Sequence, residues 1–208
     1  MNLFITWLWR APQFFFAVAI LVIFSVTCHE FFHAWCALKL GDSTAADAGH
    51  LTFNPFRQMG WFSLLMLLLA GICWGQVPVD PARMRRRCDP ALVAAAGPLT
   101  NLVLAILFVI LTYVAVRAGA NEFACNMLLY GAEINFVLCV FNFLPIPGLD
   151  GFAILRNFFP RFLESSSETV RGAIFVLIVL ALVFIDALFR LARIAAAFLL
   201  TLIDGCFG

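Results

Sequence analysis

The chain has 208 residues, 64% of them hydrophobic and 12% charged, with a formal net charge of +1. That composition lies outside the range of soluble domains and inside that of integral membrane proteins. The near-neutral charge and the lack of a basic face interleaved with aromatics give no ground for a nucleic-acid partner, and that class is set aside.

A helix rising 1.5 Å per residue needs about 20 apolar residues to cross a hydrocarbon layer of about 30 Å. Four runs are long enough: about 12–38, 91–116, 123–144, and one that starts near 172 and extends as far as 203. The first carries straight on into a polar motif, so it reads as a retained helix and not a cleaved signal. Residues 49–55, GHLTFNP, alternate small or polar with apolar and end at a proline, which suits a short exposed strand. Its free edge is one site where an extended segment of another chain can pair; a plain connecting loop is the alternative. A fifth apolar run, 61–74, is only about 21 Å long as a helix and reads as a re-entrant or interfacial hairpin. The predicted fold is therefore an all-α polytopic membrane protein, one domain over residues 1–208. It has about four to five transmembrane helices, a short hairpin and a small β element.

Loops on either side of a non-crossing hairpin share one face of the membrane. That face holds Lys39, Arg57, Arg83, Arg85, Arg86, Arg87, Arg156, Arg161 and Arg171, against Arg10, Arg117, Arg190 and Arg193 on the other. The basic excess marks the first face as cytoplasmic. Seven cysteines, none in a C-x-x-C pair and several inside apolar runs, read as reduced packing thiols.

The first run contains HEFFH at residues 29–33. A spacing of four stacks His29 and His33 on one helix face, within reach of a single ion, with Glu30 beside them. From the helical rise they lie about 25 Å and about 31 Å beyond Pro12, in the inner leaflet. The third run descends to the same depth and ends in NFLPIPGLDG, residues 142–151, where prolines and glycines break the helix. Zinc takes four near-tetrahedral ligands, and a hydrolytic site keeps one position for water, so one further protein ligand is needed. Asp150, in the unwound stretch, is the candidate; Glu30 is placed to take a proton from water and pass it to a leaving amine. Charges at this depth are costly and usually functional, which favours a metal centre over buried core histidines.

Over most of its length the chain resembles the site-2 protease family of intramembrane zinc metalloproteases, in particular small bacterial members without a PDZ domain. The resemblance runs through HEFFHAWCALKLGDSTA at 29–45, GHLTFNP, GQVPVDP at 75–81, AAGPLTN at 95–101 and FNFLPIPGLDG at 141–151. It implies that His29, His33 and Asp150 hold catalytic Zn2+, that Glu30 is the base and acid, and that Asn142 steadies substrate or the oxyanion. It also implies a bacterial inner-membrane enzyme, multi-pass in the lipid bilayer, with its site toward the cytoplasm. Its substrate would be a transmembrane protein of the anti-sigma factor or signal-peptide remnant class. Two positions depart from the family pattern: His50 stands where relatives commonly have arginine, and Gly148 where many have a second proline. His50, in a polar loop, reads as a surface histidine.

Asn101, among small residues opening the second run, reads as a packing residue able to hydrogen-bond across a helix interface. Glu133 and Asn135 are polar groups inside the third run; Glu133 is expected to face a cavity or a helix partner. In the last run Asp186 and Arg190, four apart, are expected to pair on one face, with Arg193 nearby. Two rival readings are a metal-binding membrane transporter, which the lack of repeated halves disfavours, and a catalytically inactive substrate-binding homologue.

Overall fold

The computed structural model describes residues 3–160 and 185–207. A 3-10 turn (Phe4–Thr6) and a single helical turn, α1 (Trp7–Arg10), lead into α2 (Pro12–Leu40). Pro12 occupies the first turn, where its missing N–H is one that no helix satisfies. Exposed Trp7 and Trp9 beside this start suit a membrane–water interface. Three short helices come next: α3 (Thr44–Asp47), α4 (Pro55–Gln58) and α5 (Gly60–Ala70). The second long helix is α6 (Asp89–Arg117), joined by a short turn to α7 (Glu122–Asn142), whose first turn is capped by the Asn121 side chain accepting from the Ala124 N–H. The last two described helices are α8 (Asp150–Phe158) and α9 (Ile185–Phe207).

Among the described residues three helices, α2, α6 and α7, are long and apolar enough to cross a membrane. They match the first three predicted runs to within two residues at each end. Residues 172–184 of the last predicted run lie outside the described residues; the remainder of that run belongs to α9, which continues past 203 to Phe207. At 11 residues α5 is about 16 Å long, too short to cross. The chain then doubles back along it, pinned where the Trp74 N–H donates to Ser63 Oγ and that hydroxyl donates to Trp74 O at 2.6 Å.

Helix α6 is central and packs against α2, α7, α8 and α9. Ala34, Ala37, Ala105, Ala132 and Ala196 are fully buried, while Phe16, Ile20, Val103 and Val114 are more than half exposed. Lipid is as apolar as leucine, so helices in it gain by close van der Waals contact, which small residues permit, and large side chains turn outward. Phe108, Val109, Ala132 and Ala196 join α6, α7 and α9 in one buried cluster. Val26, Met59 and Leu64 fix the α4–α5 segment against α2 in another.

The expected β element does not form: no strand occurs among the described residues, 49–54 is turn, bend and irregular chain, and Pro55 opens α4. Side chains have taken the groups a ladder would use. Gln58, itself buried, donates both amide hydrogens to His50 O and Thr52 O, each at 2.7 Å. Thr52 Oγ1 accepts from the Asn54 N–H, and Asn54 caps α4 through the Phe56 N–H. Such local side-chain bonds compete directly with sheet pairing. The six cysteines whose side chains are described are free thiols.

Candidate metal centre

His29 and His33 lie on the buried face of α2, their ring centroids 4.6 Å apart. The break after α7 brings Asp150, first residue of α8, across to them. Its Oδ2 is 3.0 Å from His29 Nε2 and its Oδ1 3.3 Å from His33 Nε2, while the two Nε2 atoms are 2.9 Å apart. Two segments more than a hundred residues apart thus converge as their sequences predicted, and the three residues form a group that can hold a metal ion.

The far side of each ring decides what the near side carries. His33 Nδ1 is 2.7 Å from Val93 O, a carbonyl that only accepts, so the proton is on Nδ1. His29 Nδ1 is 2.6 Å from Asn101 Oδ1, which makes the same assignment. In the neutral rings both Nε2 atoms therefore direct lone pairs, not protons, toward a carboxylate whose buried Oδ2 has no hydrogen-bond donor among the described residues. Three acceptors facing one another repel unless a cation sits between them. A tetrahedral zinc at about 2.0–2.1 Å from its ligands has ligand–ligand edges of about 3.3–3.4 Å, close to the edges seen here. The residues fit zinc.

Two close approaches shape the site. A Cβ at Gly97 on α6 would overlap the Nε2 atoms of both histidines, so only glycine lets α6 pass this close. A Cβ at Gly75 would overlap the Glu30 carboxylate, which fixes the chain after α5 directly over that glutamate. A cavity of about 890 Å3 opens here, lined by Glu30, Gly75, Gln76, Asn142 and Asp150 among others, with Arg87 and Arg156 also on its wall. Asn142 ends α7 and does not stand in the following loop; one of its amide hydrogens goes to Leu138 O at 3.0 Å.

Asp42, fully buried just beyond α2, holds this wall in place. Its carboxylate accepts from the Thr44 N–H and hydroxyl and, at 2.7 Å, from the Asp80 N–H. Burial opposes its ionisation, but these bonds outweigh burial and keep its pKa below the ordinary 3.8. Cys73 also lines the cavity. Burial, followed by the nearby Glu30 charge, pushes its thiol up to about 12, and the group able to hold a metal does not include it.

His50 is half-buried, with its Nδ1 3.4 Å from Gln58 Oε1, and is not a member of the metal group. Glu133 does face a helix partner, Arg193 of α9. Asp186 and Arg190 form no ion pair with each other among the described residues; the arginine that pairs is the neighbour one turn on.

A His-Glu-x-x-His helix and a converging aspartate, set among membrane-length helices, define a membrane-embedded metallopeptidase. The model of peptidase family M50 matches residues 15–118 and 113–185, and the chain belongs to that family, the site-2 proteases. It is 35% identical over 155 residues to "Putative zinc metalloprotease YwhC" of Bacillus subtilis, covering 69% of this chain and 69% of that one. Against "Putative zinc metalloprotease Rip2" of Mycolicibacterium smegmatis it is 34% identical over 157 residues, 70% of this chain and 60% of the relative. An archaeal relative, "Putative zinc metalloprotease MJ0611" of Methanocaldococcus jannaschii, is 29% identical over 163 residues, covering 73% and 78%. No solved structure gave a significant match. The protein is a membrane zinc metalloprotease.

The geometry adds residues that sequence reasoning did not assign to the site: Val93, Gly97 and Asn101, four apart on α6, face the two histidines four apart on α2. That matched period was the available signal.

Proposed function

We propose that this protease cuts peptide bonds in or near transmembrane segments of other membrane proteins. The observation that carries the reading is the convergence of His29, His33 and Asp150 between membrane-length helices, with Glu30 in the adjoining cavity. Zinc at such a centre supplies Lewis acidity, which brings the pKa of coordinated water toward about 7. His29, His33 and Asp150 are its ligands in this reading. Glu30 takes a proton from water and delivers it to the leaving amine. The second amide hydrogen of Asn142 serves a substrate carbonyl or the oxyanion.

The substrate reaches the cavity sideways through lipid and water reaches it from the cytoplasm, the side that the basic loop residues favour. A helical substrate has its carbonyls tied up in i to i+4 bonds and must unwind before attack. Gly75, Val77 and Val79, on a stretch without regular secondary structure that lines the cavity, offer it backbone partners in place of 49–55. Anti-sigma factors and signal-peptide remnants are the substrate classes the reading favours, and the bacterial inner membrane is its location. A single membrane domain carries all these functions.

The test is cleavage in proteoliposomes. Wild-type protein should cut members of a panel of transmembrane peptides, and a chelator or Glu30→Gln should abolish the products seen by mass spectrometry. Unchanged products from Glu30→Gln, or none from the wild type on any peptide, would count against the reading.

A further inference from the structure

We infer that Asn101, Asn135 and Ser25 form a positioning chain that holds the His29 ring for metal binding. Ser25 Oγ donates to Leu21 O at 2.8 Å, so its oxygen is left to accept from Asn135 Nδ2, also at 2.8 Å. The same nitrogen donates its other hydrogen to Gly131 O at 2.9 Å. With both hydrogens committed, Asn135 turns Oδ1 to Asn101, which donates from Nδ2 at 3.0 Å and turns its own Oδ1 to His29. Each bond fixes the direction of the next, starting from backbone carbonyls that only accept. Flipping either amide would set donor against donor or acceptor against acceptor.

Ser25, Asn101 and Asn135 have no exposed surface, so water does not compete for these bonds. Three polar side chains from three helices are costly to bury, and apolar residues of the same size would pack as well. Their chemical product is a protonated Nδ1 on His29 and a lone pair on Nε2 directed at the centre. His33 gets the same result from the Val93 carbonyl, which no side-chain substitution removes. The two ligands therefore differ: His29 depends on side chains, His33 on backbone.

The inference rests on the metal-centre reading but not on any substrate. Full-length protein in detergent is stripped of metal and titrated with Co2+, following affinity and the visible d–d spectrum. Replacing Asn101 by Leu should weaken Co2+ binding roughly 10- to 100-fold and alter the spectrum. Asn101→Asp, which keeps an acceptor against Nδ1 but loses the donor to Asn135, should recover most of the affinity while melting below wild type. Asn135→Leu and Ser25→Ala should weaken binding in that order, each less than Asn101→Leu. Folded Asn101→Leu that binds Co2+ like wild type, or an Asp variant no better than Leu, would overturn the chain alone. Wild type that takes up no Co2+ would overturn the metal centre and the chain together. If Asn101→Leu does not fold, the Zn2+-loaded wild type decides by 15N NMR. An exchange-protected, deshielded His29 Nδ1 proton supports the chain, and a freely exchanging one overturns it.

Discussion

The Glu133 carboxylate accepts two hydrogen bonds from the Arg193 guanidinium, from Nε at 2.9 Å and Nη2 at 3.1 Å, tying α7 to α9 across sixty residues of chain. The Glu133 side chain is 3% exposed and that of Arg193 67%, so the acid is the partner that depends on the contact. Arg193→Leu should lower stability by about 1–3 kcal/mol or more, because it leaves a buried acceptor unpaired. Adding Glu133→Gln should restore part of the loss. Thermal melting of the two single variants and the double variant checks this; a double variant as unstable as the sum of the singles would contradict it.

Gly97 and Gly75 should fail in different ways. Gly97→Ala intrudes on both histidine Nε2 atoms, so it should abolish metal retention along with cleavage. Gly75→Ala intrudes on Glu30, which is not a ligand, so cleavage should fall at least tenfold while zinc content stays near wild type. Metal analysis beside peptide cleavage separates the two.

Asp42 gives the fold a signed pH dependence. Its folded pKa lies below 3.8, so its contribution is fully present above that value and is lost as pH falls through the lowered pKa. Asn at this position sets an amide group against either Thr44 or the Asp80 N–H. Asp42→Asn should therefore cost about 1–3 kcal/mol near neutral pH, and its gap to wild type should narrow as pH drops below 3.8. Melting curves across that range test the sign; a gap that widens on acidification would contradict it.

The centre was legible because its chemistry is local in each half. HEFFH sets its own geometry through helical period, and NFLPIPGLDG announces its own break. Apolar length alone located α2, α6 and α7. What failed was a two-residue period read as a strand at 49–55, since alternation does not reveal that Gln58, six residues downstream of Thr52, will capture the carbonyls. Likewise Arg193 pairs with Glu133 across helices, where the sequence suggested Asp186 and Arg190 within one. Helix spacing ranks local partners but carries nothing about the neighbour that tertiary packing supplies. Asn101 was visible as an interfacial amide; its reach to His29 depends on the crossing of α2 and α6, which no single segment encodes.

The most direct measurement is zinc stoichiometry, by elemental mass spectrometry, of purified wild type, Asp150→Asn and Glu30→Gln. The wild type and Glu30→Gln should each carry about one zinc per chain, and Asp150→Asn should lose most of it, since both carboxylate oxygens face the histidines. An Asp150→Asn protein as zinc-loaded as the wild type would contradict the account.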